Sequence, residues 1–186
     1  HYDKMGIRSS STAELIFNDV KVPKENLLGK EGEGFKIAMA TLDGGRIGVA
    51  AQSLGIAQGA YDRMIDYMME REQFGVTLSR FDTLRFEVAR IRMQLESARL
   101  LVYRAADNKD KGLPYTAEAA MAKLAASEAA VDITRKSIQF HGGYGYMADR
   151  PIERMYRDAK ITEIYEGTSQ VQQMVIAADT FAPKKK

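Results

Sequence analysis

The sequence predicts an all-α fold, an antiparallel four-helix bundle with an extra C-terminal helix, entered from one or two short strands. Two observations predict the bundle. Apolar residues recur at intervals of three and four over most of the chain beyond Gly34, and glycine or proline separates the periodic stretches. A third predicts the strands: β-branched and aromatic residues cluster in Glu14-Leu15-Ile16-Phe17-Asn18-Asp19-Val20-Lys21-Val22 before Pro23. Two strands do not make an independent sheet, so the rest of that sheet is expected in a longer chain of which this is a piece.

The first helix is expected over about residues 35–72, with Ile47, Ala50, Leu54, Ala57, Tyr61, Met64 and Met68 on one face. Gly44, Gly45 and Gly48 interrupt its first half. Each costs about 1 kcal/mol against alanine inside a helix, so they predict either a kink or a backbone that another group approaches closely. A turn is expected at residues 74–78. The second helix has the cleanest stripe, Phe81, Leu84, Val88, Ile91, Leu95, Ala98, Val102 and Ala105, and should stop near Gly112 and Pro114. The third follows Thr116. Its many alanines allow close approach, which places it at the centre of the bundle, and it should end at His141-Gly142-Gly143. A fourth is expected from Pro151 to about Tyr165. Ser169-x-x-Gln172 reads as a capping box opening a last helix to about Thr180, before a frayed tail from Ala182 to Lys186.

Composition narrows the function. The 186 residues contain 45% hydrophobic and 28% charged residues, ordinary for a globular chain. There is no cysteine, which excludes disulfides and thiol chemistry, and the two histidines exclude a multi-histidine metal site. A net charge of +2 gives no argument for nucleic acid, and no apolar run is long enough for a membrane span. There is no P-loop, dinucleotide fingerprint or nucleophile elbow. Gly142-Gly143-Tyr144-Gly145 follows a helix rather than a strand, so spacing favours a helix end and turn. Glu166 stands between two helices, beside Tyr165 and Gly167. From spacing alone it is either a solvated helix-end glutamate or a base at an interhelical corner with apolar neighbours.

Four blocks decide between these readings. Ile161-Thr162-Glu163-Ile164-Tyr165-Glu166-Gly167-Thr168-Ser169 resembles the signature of the acyl-CoA dehydrogenase family. Arg71-Glu72-Gln73-Phe74-Gly75, Gln139-Phe140-His141-Gly142-Gly143-Tyr144-Gly145 and Leu42-Asp43-Gly44-Gly45-Arg46 resemble further blocks of that family, in its order. The similarity runs from about Met5 to Ala178, with the short-chain, butyryl-CoA-type branch most alike. The resemblance implies that residues 1–30 are the end of a middle β domain and a linker, 31–182 the C-terminal helical domain, and 183–186 a tail.

The same resemblance implies an enzyme of fatty acid β-oxidation that oxidises acyl-CoA to trans-2-enoyl-CoA with FAD as hydride acceptor. Electron-transfer flavoprotein would reoxidise the cofactor. Glu166 would take the α-proton, with the backbone N–H of that glutamate and the flavin ribityl chain donating to the thioester carbonyl. Other branches place their base at the position occupied here by Gly45, which leaves Glu166. Asp43, Arg46, Tyr165 and Gly167 would line the acyl thioester site. Arg71, Gln73, Phe74, Gln139, Gly142, Gly143, Thr168, Ser169 and Gln170 would meet FAD, some of them on a neighbouring subunit of a homotetramer. Asp82 and Gln170 depart from the usual glutamine and glutamate, and His141 is expected to be structural. The implied compartment is bacterial cytoplasm or mitochondrial matrix. An acyl-CoA oxidase-like enzyme and a non-catalytic helical oligomerisation module remain the alternatives, and the fragment alone is expected to be inactive.

Overall fold

The computed structural model describes residues 2–183; the Lys184–Lys186 part of the expected tail lies outside the described residues. Helix α1 spans Gly34–Glu70 without a break, so Gly44, Gly45 and Gly48 do not end it. Arg71 leaves the helix in an extended conformation, which ends α1 short of the expected Glu72. In place of a simple turn there is a small hairpin. Strand β1 (Glu72–Gln73) pairs antiparallel with β2 (Val76–Thr77), Glu72 opposite Thr77 and Gln73 opposite Val76. Phe74 and Gly75 between them have φ of 54° and 81°. Positive φ at both central residues matches the right-handed twist of paired strands.

Helices α2 (Asp82–Asp110) and α3 (Thr116–His141) follow, joined through Gly112 at φ 67°. Asp82 sits in the first turn of α2, where a carboxylate complements the helix dipole, and pairs with Arg85 at 3.1 Å. After a four-residue helix α4 (Gly143–Tyr146), Pro151 opens α5 (Ile152–Lys160). The fourth helix is shorter than expected. One 3-10 turn over Ile161–Glu163 replaces its last part before the chain turns into α6 (Ser169–Thr180).

Helix α3 is central as expected and packs against α1, α2, α5 and α6. The reason is its side chains. Ala122, Ala126, Ala129 and Ala130 are fully buried or nearly so, and they meet Ala57, Ala60 and Met64 of α1 and Ile91, Leu95 and Ala98 of α2 within one core. Small residues let the backbones approach, and the larger residues of α1 and α2 fill the space that remains.

The capping box at α6 is corrected. The cap is Thr168, whose hydroxyl accepts from the Val171 N–H, and Gln172 does not reach back to it. The strands expected at Glu14–Val22 do not form either. That stretch is exposed, with no helix or ladder, because no partner strand lies beside it in this chain. Only the segment before it is docked. The Ile7 N–H donates to Asp158 Oδ1 at 2.6 Å, and Arg157 donates to the Met5 carbonyl at 2.8 Å. Gly6 permits this approach, since a Cβ there would lie 2.4 Å from the Arg157 carbonyl oxygen.

Close packing of α3 has a direct test. Ala126→Leu should cost at least about 1–3 kcal/mol in a urea melt, because a fully buried alanine between two helices has no room for three more carbons. Unchanged stability would contradict the contact.

Candidate functional site

The turn between α5 and α6 has two consecutive residues in the left-handed region. Glu166 has φ 55° and Gly167 has φ 92°. For glutamate this left-handed conformation costs on the order of 1–3 kcal/mol, so the surroundings must hold it. They do so from behind the turn. Gln172 Nε2 donates to the carbonyls of Glu166 and Gly167, at 3.2 and 2.8 Å, and Lys123 Nζ donates to the Gly167 carbonyl at 2.8 Å. Both side chains are fully buried.

The other side of the turn faces α1. A Cβ built on Gly45 would lie 2.4 Å from Glu166 Oε2. The half-buried Glu166 carboxylate therefore lies against bare helix backbone. Of the two sequence readings of the α1 glycines, close approach holds at Gly45, and the helix continues through all three.

One residue on, Arg46 is buried at 5% exposure and donates to Asp43 Oδ1 at 2.8 Å, while Asp43 Oδ2 accepts from the Thr116 hydroxyl at 2.8 Å. Arg46 Nε is buried without a partner among the described residues. The Tyr165 hydroxyl donates to Gln52 Oε1. Burial and the neighbouring Glu166 charge push the Tyr165 phenol up, against the Gln52 hydrogen bond. Burial, helped by Arg46, brings the Lys123 ammonium down to about 8 despite the nearby carboxylates of Glu163 and Glu166.

A second group of residues gathers at the other end of α1. Arg71, Gln73, Gln139, Gly142 and Gly143 line one cavity of about 600 Å³ together with Tyr144. The Arg71 guanidinium lies 5.8 Å from the centre of the Tyr144 ring, with Arg150 at 5.2 Å. Gly142 ends α3 with φ 58° and Gly143 starts α4, so backbone groups of both reach the cavity rim. His141 is buried, stacked on Tyr67 with centroids 4.3 Å apart, and its Nδ1 lies 2.7 Å from the Ser137 carbonyl. An N–H must occupy that position, since a carbonyl only accepts. Burial and Arg150 hold the imidazole below its ordinary pKa, which suits a structural, neutral ring.

The cofactor residues expected from the sequence thus fall in different places. Phe74 is at the hairpin tip, 94% exposed and edge-on to Phe81, and does not line the cavity. Thr168, Ser169 and Gln170 are at the start of α6, next to Glu166. Lys123 and Gln172 were not expected at the site. Lys123 had a signal, a lone charge among alanines on the core face of α3; Gln172 had none beyond its place in a capping motif.

The glycine contact separates two otherwise similar substitutions. Gly55, also within α1, has open space where a Cβ would go. Gly55→Ala should stabilise the protein by about 0.5–1 kcal/mol through helix propensity alone. Gly45→Ala should lose that gain to the displaced Glu166 carboxylate. Thermal melts of the two variants check this, and an equal gain in both would contradict the packing.

Residues 32–181 match the family model described as "Acyl-CoA dehydrogenase, C-terminal domain". The chain is 60% identical, over 96% of its length, to an "Acyl-CoA dehydrogenase, short-chain specific" from Clostridium acetobutylicum, of which it covers 47%. It superposes with a TM-score of 0.95 and 55% identity on butyryl-CoA dehydrogenase from Megasphaera elsdenii, covering 96% of this chain and 47% of that one. A chain in a solved structure described as "Electron transferring flavoprotein of Acidaminococcus fermentans" gives 0.96 at 57% identity, over 98% of this chain and 48% of that one. The chain spans about half the length of these proteins. With the family model covering most of its residues, this chain belongs to the acyl-CoA dehydrogenase family and corresponds to its C-terminal domain.

Proposed function

We propose that this chain supplies the α-proton base, one wall of the acyl thioester site and part of the FAD site of a short-chain acyl-CoA dehydrogenase. The observation that carries the reading is the Glu166 carboxylate, held against Gly45 by a turn of unfavourable backbone geometry. Unlike the exposed positive-φ residues Asp19 and Phe74, Glu166 is half-buried, and buried donors from Lys123 and Gln172 hold its turn.

Glu166 accepts the proton from the carbon next to the thioester carbonyl. An α-hydrogen is weakly acidic, so the developing negative charge on the carbonyl oxygen needs donors in place before the proton moves. The Glu166 N–H is such a donor. Gly167, whose added Cβ would lie 2.7 Å from Gln172 Nε2, keeps the turn tight enough to present it. Tyr165, tied to Gln52, and the Asp43–Arg46 pair, tied to Thr116, bound the site on either side of the carboxylate. Their fixed partners limit rearrangement when an acyl chain enters.

The cavity lined by Arg71 and Gln139 fits the adenosine-pyrophosphate half of FAD. Its side-chain donors are a planar guanidinium and two primary amides, which match phosphate oxygens and nucleoside edges, while the Gly142 N–H already donates to the Gln139 carbonyl. The residues that would hold it are Arg71, Gln73, Gln139, Gly142 and Gly143, with Phe74 against an exposed face and Thr168, Ser169 and Gln170 nearer Glu166. FAD, when bound, supplies the hydride acceptor for the β-carbon. The Asp82 charge does not face the cavity unpaired, because Arg85 holds it.

In this reading residues 1–30 close a middle β domain, 31–182 form a four-helix bundle with α6 added, and 183–186 are a tail. The complete enzyme is a homotetramer that passes electrons to electron-transfer flavoprotein, in bacterial cytoplasm or the mitochondrial matrix. The 186-residue chain alone does not turn over substrate.

The base is tested in the full-length enzyme carrying this domain. Glu166→Gln should reduce butyryl-CoA dehydrogenation by at least about 10²–10⁴-fold with FAD content unchanged, since an amide cannot take the proton. Flavin bleaching measures it, and activity above about a tenth of wild type would refute the assignment. Arg71→Ala should instead weaken FAD retention, by about 1.5–3 kcal/mol for a lost charge-assisted contact, leaving the rate per bound flavin close to wild type. Unchanged flavin content with slowed turnover would place Arg71 elsewhere in the mechanism.

A further inference from the structure

Behind the Glu166–Gly167 turn lies a pair of buried polar side chains that the reaction itself does not use. Lys123 comes from the N-terminal half of α3 and Gln172 from the first turn of α6, and neither has exposed surface. Burying an amine and an amide is costly unless their donors are matched. Here they are matched to one target. Gln172 directs its Nε2 to both consecutive carbonyls, and Lys123 directs its Nζ to the second of them. The amide cannot be turned over, because Oε1 would then face two carbonyl oxygens. In the observed orientation Oε1 is buried with no hydrogen-bond partner among the described residues. Gln172 leaves its own acceptor unpaired while holding the turn.

We propose that Lys123 and Gln172 are positioning residues for Glu166: they clamp the carbonyls of Glu166 and Gly167 and so fix the backbone that aims the Glu166 carboxylate at the Gly45 side of the acyl site. This rests on reading Glu166 as the base. The geometry explains why a clamp is needed. Glu166 at φ 55° would relax if its carbonyl were free to rotate, and its Cα–Cβ bond would turn with the backbone. The carboxylate has little latitude on its α1 side, where the Gly45 Cβ position is 2.4 Å from Oε2. A base misplaced by about 1 Å can lose on the order of 10²-fold in rate. Lys123 serves in either protonation state, since both the ammonium and the neutral amine donate to the Gly167 carbonyl. This suits a lysine that burial and Arg46 bring down to about 8 while Glu163 and Glu166 oppose them.

The test uses the full-length enzyme with Lys123→Met and Gln172→Leu, each close in size and without the donor, and Glu166→Gln alongside. Two readouts are taken, steady-state oxidation of butyryl-CoA and backbone hydrogen exchange. Each clamp variant should lose about 30-fold or more in kcat while KM stays within about 3-fold. Exchange over residues 164–170 should quicken about 10-fold or more, with protection of α1 unchanged. Wild-type kcat in both variants, or unaltered exchange at the turn, overturns the proposal. Loss of protection throughout α1 in both variants also counts against it, as a purely structural role; if only one variant unfolds, the other decides. Full activity in Glu166→Gln would instead refute the base reading, and exchange at the turn would still show whether the clamp exists.

Discussion

Glu166 and Gly45 occupy one space between them. The carboxylate oxygen lies where any side chain at position 45 would begin, and it is brought there by a left-handed backbone at Glu166 itself. Much of the site depends on that exclusion. Helix α1 must continue through its glycines to offer bare backbone at Gly45. The break after α5 must be short, and α6 must begin at once, for the turn to stand over α1. Lys123 and Gln172 must remain buried for the turn to keep its shape. A glycine that looks like a defect in a helix is thus the complement of a strained residue more than a hundred positions later in the chain.

Helix α3 makes these separate demands compatible. Its alanines bring α1, α2, α5 and α6 onto one rod, so the Glu166 turn and Gly45 are held by the same core. Lys123 on that rod is the only lysine or arginine among the fully buried side chains described, and it points at the turn rather than at a carboxylate partner. The pairing of a dense alanine core with a few committed polar contacts keeps interior and site rigid together.

The cavity at the C-terminal end of α1 obeys a different logic. It forms where α1 ends, where the β1–β2 hairpin turns back, and where α3 stops at Gly142. The ends of α1 and α3 there present backbone carbonyls, and the cations at the cavity are Arg71 and Arg150, which flank Tyr144. The two sites lie on opposite parts of α1, one over its glycines and one at its C-terminal end.

By itself the sequence determined the all-α class, the centrality of α3 and most helix boundaries, because apolar spacing and Gly or Pro punctuation are local signals. It also marked Glu166, Arg71 and the Gly142–Gly143 block through resemblance. It misplaced what depends on partners. The residue 14–22 strands need neighbouring strands that this chain does not bring to them. Thr168, not Ser169, caps α6, because Gln172 is drawn away to the carbonyls of Glu166 and Gly167. The sequence left the α1 glycines as either a kink or a close approach, and only the tertiary structure decided, since the approaching group is Glu166, far along the chain. Lys123 was legible as an odd charge in an alanine helix. What it holds was not, because hydrogen-bond partners 44 residues apart leave no period in a sequence.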